Sequence, residues 1–153
     1  GNTATQPQED FVPVLLTTME ALTMEEMMEG KEVIDWDEAM EQCGDDEIFL
    51  RELLADLRVE VGTQLAKMEE ILKNPPNDGT FHQIMRASHV IKGAASNLMC
   101  QQLRHFATQL EHAAAVGQDS SVDAAALDNV KHRFYVLTVA MSNYRAFLDS
   151  IGV

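Results

Sequence analysis

From residue 46 onward the apolar side chains recur at three- and four-residue steps, and no stretch shows the strict alternation of a half-buried strand. Leu50, Leu54, Leu57, Val61, Leu65, Met68 and Leu72 predict an amphipathic helix over about residues 46–73. Asp45 or Asp46 is placed to cap its start, and Asn74-Pro75-Pro76-Asn77-Asp78-Gly79 stops it and turns the chain. A second helix follows over about residues 80–98, with Phe81, Ile84, Ser88, Ile91, Ala95 and Leu98 on its inward seam. A third, over about residues 101–116, turns Leu103, Phe106, Ala107 and Leu110 inward and is expected to end at Gly117. The fourth is the most regular. Leu127, Val130, Phe134, Leu137, Met141, Tyr144, Leu148 and Ile151 keep the alternation over roughly seven turns, with Ser120 or Ser121 as cap ahead of Asp123.

Four long amphipathic helices joined by short turns predict an all-α protein, an antiparallel four-helix bundle with an additional short amino-terminal helical segment. Ahead of the bundle, Asp35 can cap a short helix that runs through Met40 and ends at Gly44. Residues 1–10 are polar and expected to be disordered, while residues 11–29, rich in Met, Leu and Thr, are expected to form a short docking helix. The organisation expected is an extension over 1–33, partly disordered or short helix, and a bundle domain over 34–153.

Composition narrows the function classes. A chain of 153 residues with 46% apolar residues can bury one core without disulfides or a metal. Cys43 and Cys100 match no metal-ligand spacing and fit a reducing compartment with unpaired thiols. No apolar stretch approaches the roughly 20 residues of a membrane span, and the amino terminus lacks the layout of a signal peptide. A cytoplasmic protein is expected, and at 17.0 kDa it is small enough to reach the nucleus as well. The net charge of -14 argues against a nucleic-acid partner, which needs a positive stripe to displace counterions.

The charge is unevenly distributed. Residues 79–110 contain Arg86, Lys92 and Arg104 but no Asp or Glu. An even spread of the 25 acids would put about five there. The window is where an acidic body would tolerate an anion.

Within that window lies Ser88-His89-Val90-Ile91-Lys92-Gly93. At about 100° per residue, His89 falls roughly 130° from the apolar seam of its helix, so its imidazole should face solvent. His82, Met85, Arg86, Lys92, Gly93 and Ser96 share its face by helical spacing. Lys92, one turn on, can reach a phosphoryl oxygen on the ring, and Arg86 flanks the other side. Gly93 costs about 1 kcal/mol relative to alanine in a helix interior, and the return expected is clearance beside the imidazole for an incoming partner. A neutral histidine is a competent nucleophile toward an acyl phosphate, and Lys92 would stabilise the transferring group electrostatically. The chain has no hydrolytic triad beside His89, no Walker loop and no kinase-type Gly-rich loop, so the phosphoryl donor should be another protein.

The run Arg86-Ala87-Ser88-His89-Val90-Ile91-Lys92-Gly93-Ala94-Ala95-Ser96-Asn97-Leu98 resembles the signature of histidine-containing phosphotransfer (HPt) domains, His-x-x-Lys-Gly followed by small residues and a Leu. The stretch from Leu103 to Glu111 with Gly117 also resembles that family's next helix, and Ile34-Asp35-Trp36-Asp37 through Leu57 its opening. The resemblance covers about residues 34–150. It implies a histidine that takes a phosphoryl group from one receiver-domain aspartate and passes it to another. By resemblance His89 is the phosphorylation site, Lys92 the phosphate-orienting cation and Gly93 the clearance residue. Two positions depart from the family pattern. Ala94-Ala95 stand where a Ser pair is common, leaving Ser96 as the nearby hydroxyl, and Met99 stands where a Gly is favoured, so a differently shaped junction is expected there.

The partners implied are response-regulator receiver domains and a hybrid histidine kinase, with the chain a monomer. No cofactor is expected on this chain, Mg²⁺ belonging to the receiver. Residues 1–33 resemble neither a kinase linker nor a receiver, which points to a free-standing shuttle. The chain is too short to add an ATP-binding kinase domain. A helical module that docks on receivers without transferring phosphate is the competing reading. The pairs His82/His89 and His105/His112 repeat at seven residues, but Glu111-His112 lacks the Glu-x-x-His spacing of metal-binding bundles, and no metal is expected. His82 and His105 are expected on the docking surface and His112 and His132 in solvent. Met85 and Met99 are expected to offer an adaptable apolar contact there, or else to fill the core.

Overall fold

The computed structural model describes residues 23–119 and 123–153. Six helices lie among them: α1 Met24–Met28, α2 Trp36–Gln42, α3 Glu47–Lys73, α4 Thr80–Asn97, α5 Gln101–Asp119 and α6 Ala124–Ser150. The expected disorder of residues 1–10, the first part of the docking helix, and Ser120 and Ser121 lie outside the described residues.

Polar caps set most of the helix starts. Thr23 and Glu26 form a reciprocal capping box at α1. Asp35, Asp46 and Asp123 each accept a hydrogen bond from a backbone N–H in the first turn of α2, α3 and α6. Asp46 therefore takes the role that was open between Asp45 and Asp46. Asp123, rather than a serine before it, caps the last helix. The α2 helix ends two residues later than expected, at Gln42.

The four long helices pack α3 on α4, α4 on α5 and α5 on α6, and α6 returns to touch α3. The helices that follow one another along the chain are thus neighbours in space, and together they form a helical bundle. The expected seams of α4 and α5 are buried throughout, as is that of α3 except for half-buried Leu72. On α6, Leu127, Phe134 and Ile151 are only half-buried. Tyr144 is wholly buried, and its hydroxyl donates to the Leu54 carbonyl at 2.6 Å. That bond supplies the partner a buried phenol needs.

Two expectations fail in the interior. Gly117 does not end its helix, because α5 continues to Asp119. Gly117 is buried instead, and a Cβ there would lie 2.9 Å from the Phe81 ring, so glycine is what lets α4 and α5 close together. His132 is not solvated. It is 3% exposed, and its Nδ1 has no hydrogen-bond partner among the described residues.

The α4–α5 junction keeps the shape that glycine would give it. The Met99 N–H bonds to the Ser96 carbonyl and the Cys100 N–H to the Ala95 carbonyl, and Met99 has φ +59°. This is a Schellman ending, with methionine in the left-handed position usually filled by glycine. The Met99 carbonyl then accepts from the Asp35 N–H at 2.9 Å, which ties the start of α2 to this end of the bundle. Gln102 strengthens the tie, its backbone N–H bonding to the Glu32 carbonyl and its side chain to the Lys31 carbonyl.

Candidate functional site

The middle of α4 turns one face inward and one outward. Ser88 and Ile91 are fully buried, and the Ser88 hydroxyl donates to the Ile84 carbonyl at 2.7 Å. The intervening rotation brings the His89 ring out, 66% exposed, as the helical wheel predicts. Val90 beside it is exposed too, an apolar side chain left in water. Gly93 lies at the outward centre of this face. A Cβ built there meets no atom within 4 Å, so packing within the described residues does not require a glycine at this position.

From the neighbouring helix, Glu111 of α5 reaches across. Its Oε2 lies 2.8 Å from His89 Nδ1, and its Oε1 lies 2.7 Å from Lys92 Nζ. One carboxylate thus bridges the histidine and the lysine one turn apart. Burial works against charge on Glu111, but the hydrogen bonds from Lys92 and His89 outweigh it and hold the carboxyl below its ordinary value. An ionised carboxylate only accepts hydrogen bonds, so the proton in the His89 contact sits on Nδ1.

Glu111 has no role in the sequence reading beyond failing a metal spacing. Residues 79–110 contain no acid, yet the next residue folds back into the middle of that window. The window is acid-free in sequence and not in space. A signal was present, since Glu111 is the lone acid between Gln101 and Gln118. It also lies between Ala107 and Ala114, both fully buried, which puts it at the edge of the α5 seam.

The other expected residues divide between two sides of α4. His82 and Arg86 line a groove toward α3, with Lys67, Glu70, Ile71 and Val90 among its walls. His82 also lies 3.5 Å from the Gln118 side chain of α5. Met85 is half-buried against the core. The Ser96 hydroxyl donates back to the Lys92 carbonyl at 2.8 Å, so it is engaged with its own helix rather than presented to His89. Met99 sits at the far end of α4, about ten residues or 15 Å along the axis from His89. His112 is exposed. His105 lies on the α5–α6 side, against Phe106 and Gln109. Burial first, and then Lys31, Arg104 and Arg133, lower its pKa.

Among the described residues no three His, Cys, Asp or Glu side chains group as a metal site. No helix there is long and apolar enough to cross a membrane. Cys43 and Cys100 are free thiols, and burial pushes Cys100 up to about 12.

A family model for the Hpt domain matches residues 52–146. The chain belongs to the Hpt domain family. No curated protein and no solved structure matches it. Histidine phosphotransfer in a phosphorelay is the general function of the Hpt domain, and receiver domains and kinases are the proteins with which such domains work. The matched region takes in most of α3, all of α4 and α5, and most of α6, so both residues that Glu111 bridges lie inside the Hpt domain.

Proposed function

We propose that this Hpt domain carries a phosphoryl group on His89 between receiver aspartates in a multistep relay. The observation behind this reading is an imidazole standing off the bundle with Lys92 one turn away and open space over Gly93. In the step proposed, the ring attacks a receiver's aspartyl phosphate and the receiver carboxylate departs. Transfer to the next receiver reverses the same bond changes. Lys92 steadies the phosphoryl oxygens, and Gly93 lets the receiver's loops come close. Any Mg²⁺ is supplied by the receiver, the protein works as a monomer, and a hybrid histidine kinase stands upstream. His82, Met85, Arg86 and Val90 surround the docking face.

Incubation with a phosphorylated receiver should label the protein at a base-stable, acid-labile site. His89→Gln should abolish the label while leaving the helical content and thermal transition in place. Continued labelling of His89→Gln would remove His89 as the acceptor. Receiver binding with no label on the wild type would leave only a docking module.

A further inference from the structure

Three elements bring positive charge to one edge of α5. Arg104 and His105 stand near the start of that helix. Arg133 reaches them from α6, its Nη1 donating to Gln109 Oε1 at 2.9 Å, while Gln109 Nε2 lies 3.1 Å from His105 Nε2. Lys31 comes from the arm between α1 and α2, which Gln102 of α5 holds through hydrogen bonds to the Lys31 and Glu32 carbonyls. Burial, and then the charges of Lys31, Arg104 and Arg133, disfavour protonation of His105.

These cations have no counter-ion. Arg51, Arg58, Lys73 and Lys92 each pair with a carboxylate, but Lys31, Arg104 and Arg133 pair with none among the described residues. Lys31 Nζ reaches only the Glu29 backbone carbonyl, and Arg133 only a neutral amide. Arg133 is half-buried, and a guanidinium partly withdrawn from water without an opposite charge is destabilising for the folded chain alone. Of the 25 acids in a chain of net charge -14, none among the described residues is set against these cations. A guanidinium has only donors, so the Gln109 oxygen faces Arg133 and its NH₂ group faces His105, whose Nε2 accepts. The ring is therefore neutral with its proton on Nδ1, a donor that has no acceptor among the described residues.

We propose that Lys31, Arg104, His105 and Arg133 form a docking site for an acidic segment of a partner protein, whose successive carboxylates supply the counter-ions this edge lacks. Arg104 precedes Glu111 by seven residues, two turns or about 10 Å along α5, so the site lies beside the His89 face and shares no residue with it. Binding there is independent of phosphoryl transfer at His89. Separated side chains from three elements suit a string of carboxylates. A compact phosphate is instead held where backbone N–H groups converge, and here the Gln102 and Arg104 N–H groups are already bonded to the Glu32 and Cys100 carbonyls.

Hexaglutamate titrated at low salt into the ¹⁵N-labelled full chain should saturably shift the backbone amides of Lys31, Arg104, His105, Gln109 and Arg133, although the molecule as a whole repels it. Arg104→Glu, at an exposed position, should weaken binding about tenfold. Lys31→Glu should do the same from a different element, and salt at about 0.5 M should abolish most of the affinity. Shifts centred instead on Lys67 and Arg86, unchanged affinity in both variants, or no saturable shift would overturn the proposal. Inorganic phosphate that binds at these residues as tightly as the peptide would also overturn it, leaving a small-anion site in place of a protein contact.

Discussion

The outer face of α4 sets His89 beside Gly93, the inner seams of α5 and α6 hold Gly117 and His132, and the two regions use a helical glycine and a histidine in opposite ways. Inside, Gly117 is explained by the molecule itself, since the Phe81 ring occupies the space of any side chain there. Outside, Gly93 has no atom of the described residues beyond its own helix backbone within 4 Å of its missing Cβ, so among them the helix bears its cost of about 1 kcal/mol without a packing return. The histidines divide likewise. His89 is exposed yet has a charged partner on Nδ1, whereas His132 is buried and its Nδ1 has none among the described residues. A polar group satisfied where water could have served it, and a glycine no neighbour requires, are features that packing does not account for. They mark the outer face as built for something that arrives.

The largest effect should come from the inner glycine. Gly117→Val places a branched side chain against Phe81 and should destabilise the bundle by about 3 kcal/mol in urea titration. Phe81→Leu should restore part of the loss, because the clash is with the ring. Additive losses in the double variant would show that the close approach of α4 and α5 is not what glycine provides. The outer glycine should behave in the reverse sense. Gly93→Leu should leave the thermal transition unchanged or higher, with a gain of up to about 1 kcal/mol from helix propensity. It should also slow phosphoryl acceptance from a receiver about tenfold, equivalent to about 1.4 kcal/mol. Wild-type acceptance would abolish the contrast between the two glycines.

The features that were legible in the sequence share one property, which is that they depend on a single helix. The seams of α4 and α5 and the outward placement of His89 follow from the period of 3.6 residues alone. Glu111 was missed because its pairing depends on how α5 is rotated and shifted against α4, which no intrahelical period specifies. Gly117 was misread because a glycine that ends a helix and one that admits a neighbouring ring look the same in sequence. His132 was more readable than it seemed, since it begins a row at four-residue spacing with Val136 and Ala140, all three buried beside the main seam. Met99 shows the converse. A substitution expected to reshape the junction leaves it intact, with the methionine taking φ +59°. The hydrogen bonds of the helix ending outweigh a left-handed cost of about 1–2 kcal/mol.

The smallest effect expected concerns the inner histidine, and it tests whether the two histidines differ as their surroundings imply. Burial, followed by the nearby charge of Arg133, lowers the His132 pKa below its ordinary 6.5. The folded protein therefore binds a proton there less readily than the unfolded chain. His132 then contributes stability that is fully present above about pH 6.5 and is lost as the pH falls toward its folded pKa. His105, lowered in the same direction, adds a similar loss over the same range. His132→Leu removes both the titration and the unpaired Nδ1, so at neutral pH it should be neutral or stabilising by up to about 1 kcal/mol. Its advantage over the wild type should widen between pH 7 and 5, with the remaining slope assigned to His105 by a second substitution. Urea titrations across that range give the comparison directly. A wild type whose stability is flat from pH 7 to 5, or a His132→Leu protein that follows the wild-type slope, would mean that protons reach His132 in the folded bundle as easily as in the unfolded chain, and the distinction between the inner and outer histidines would fail.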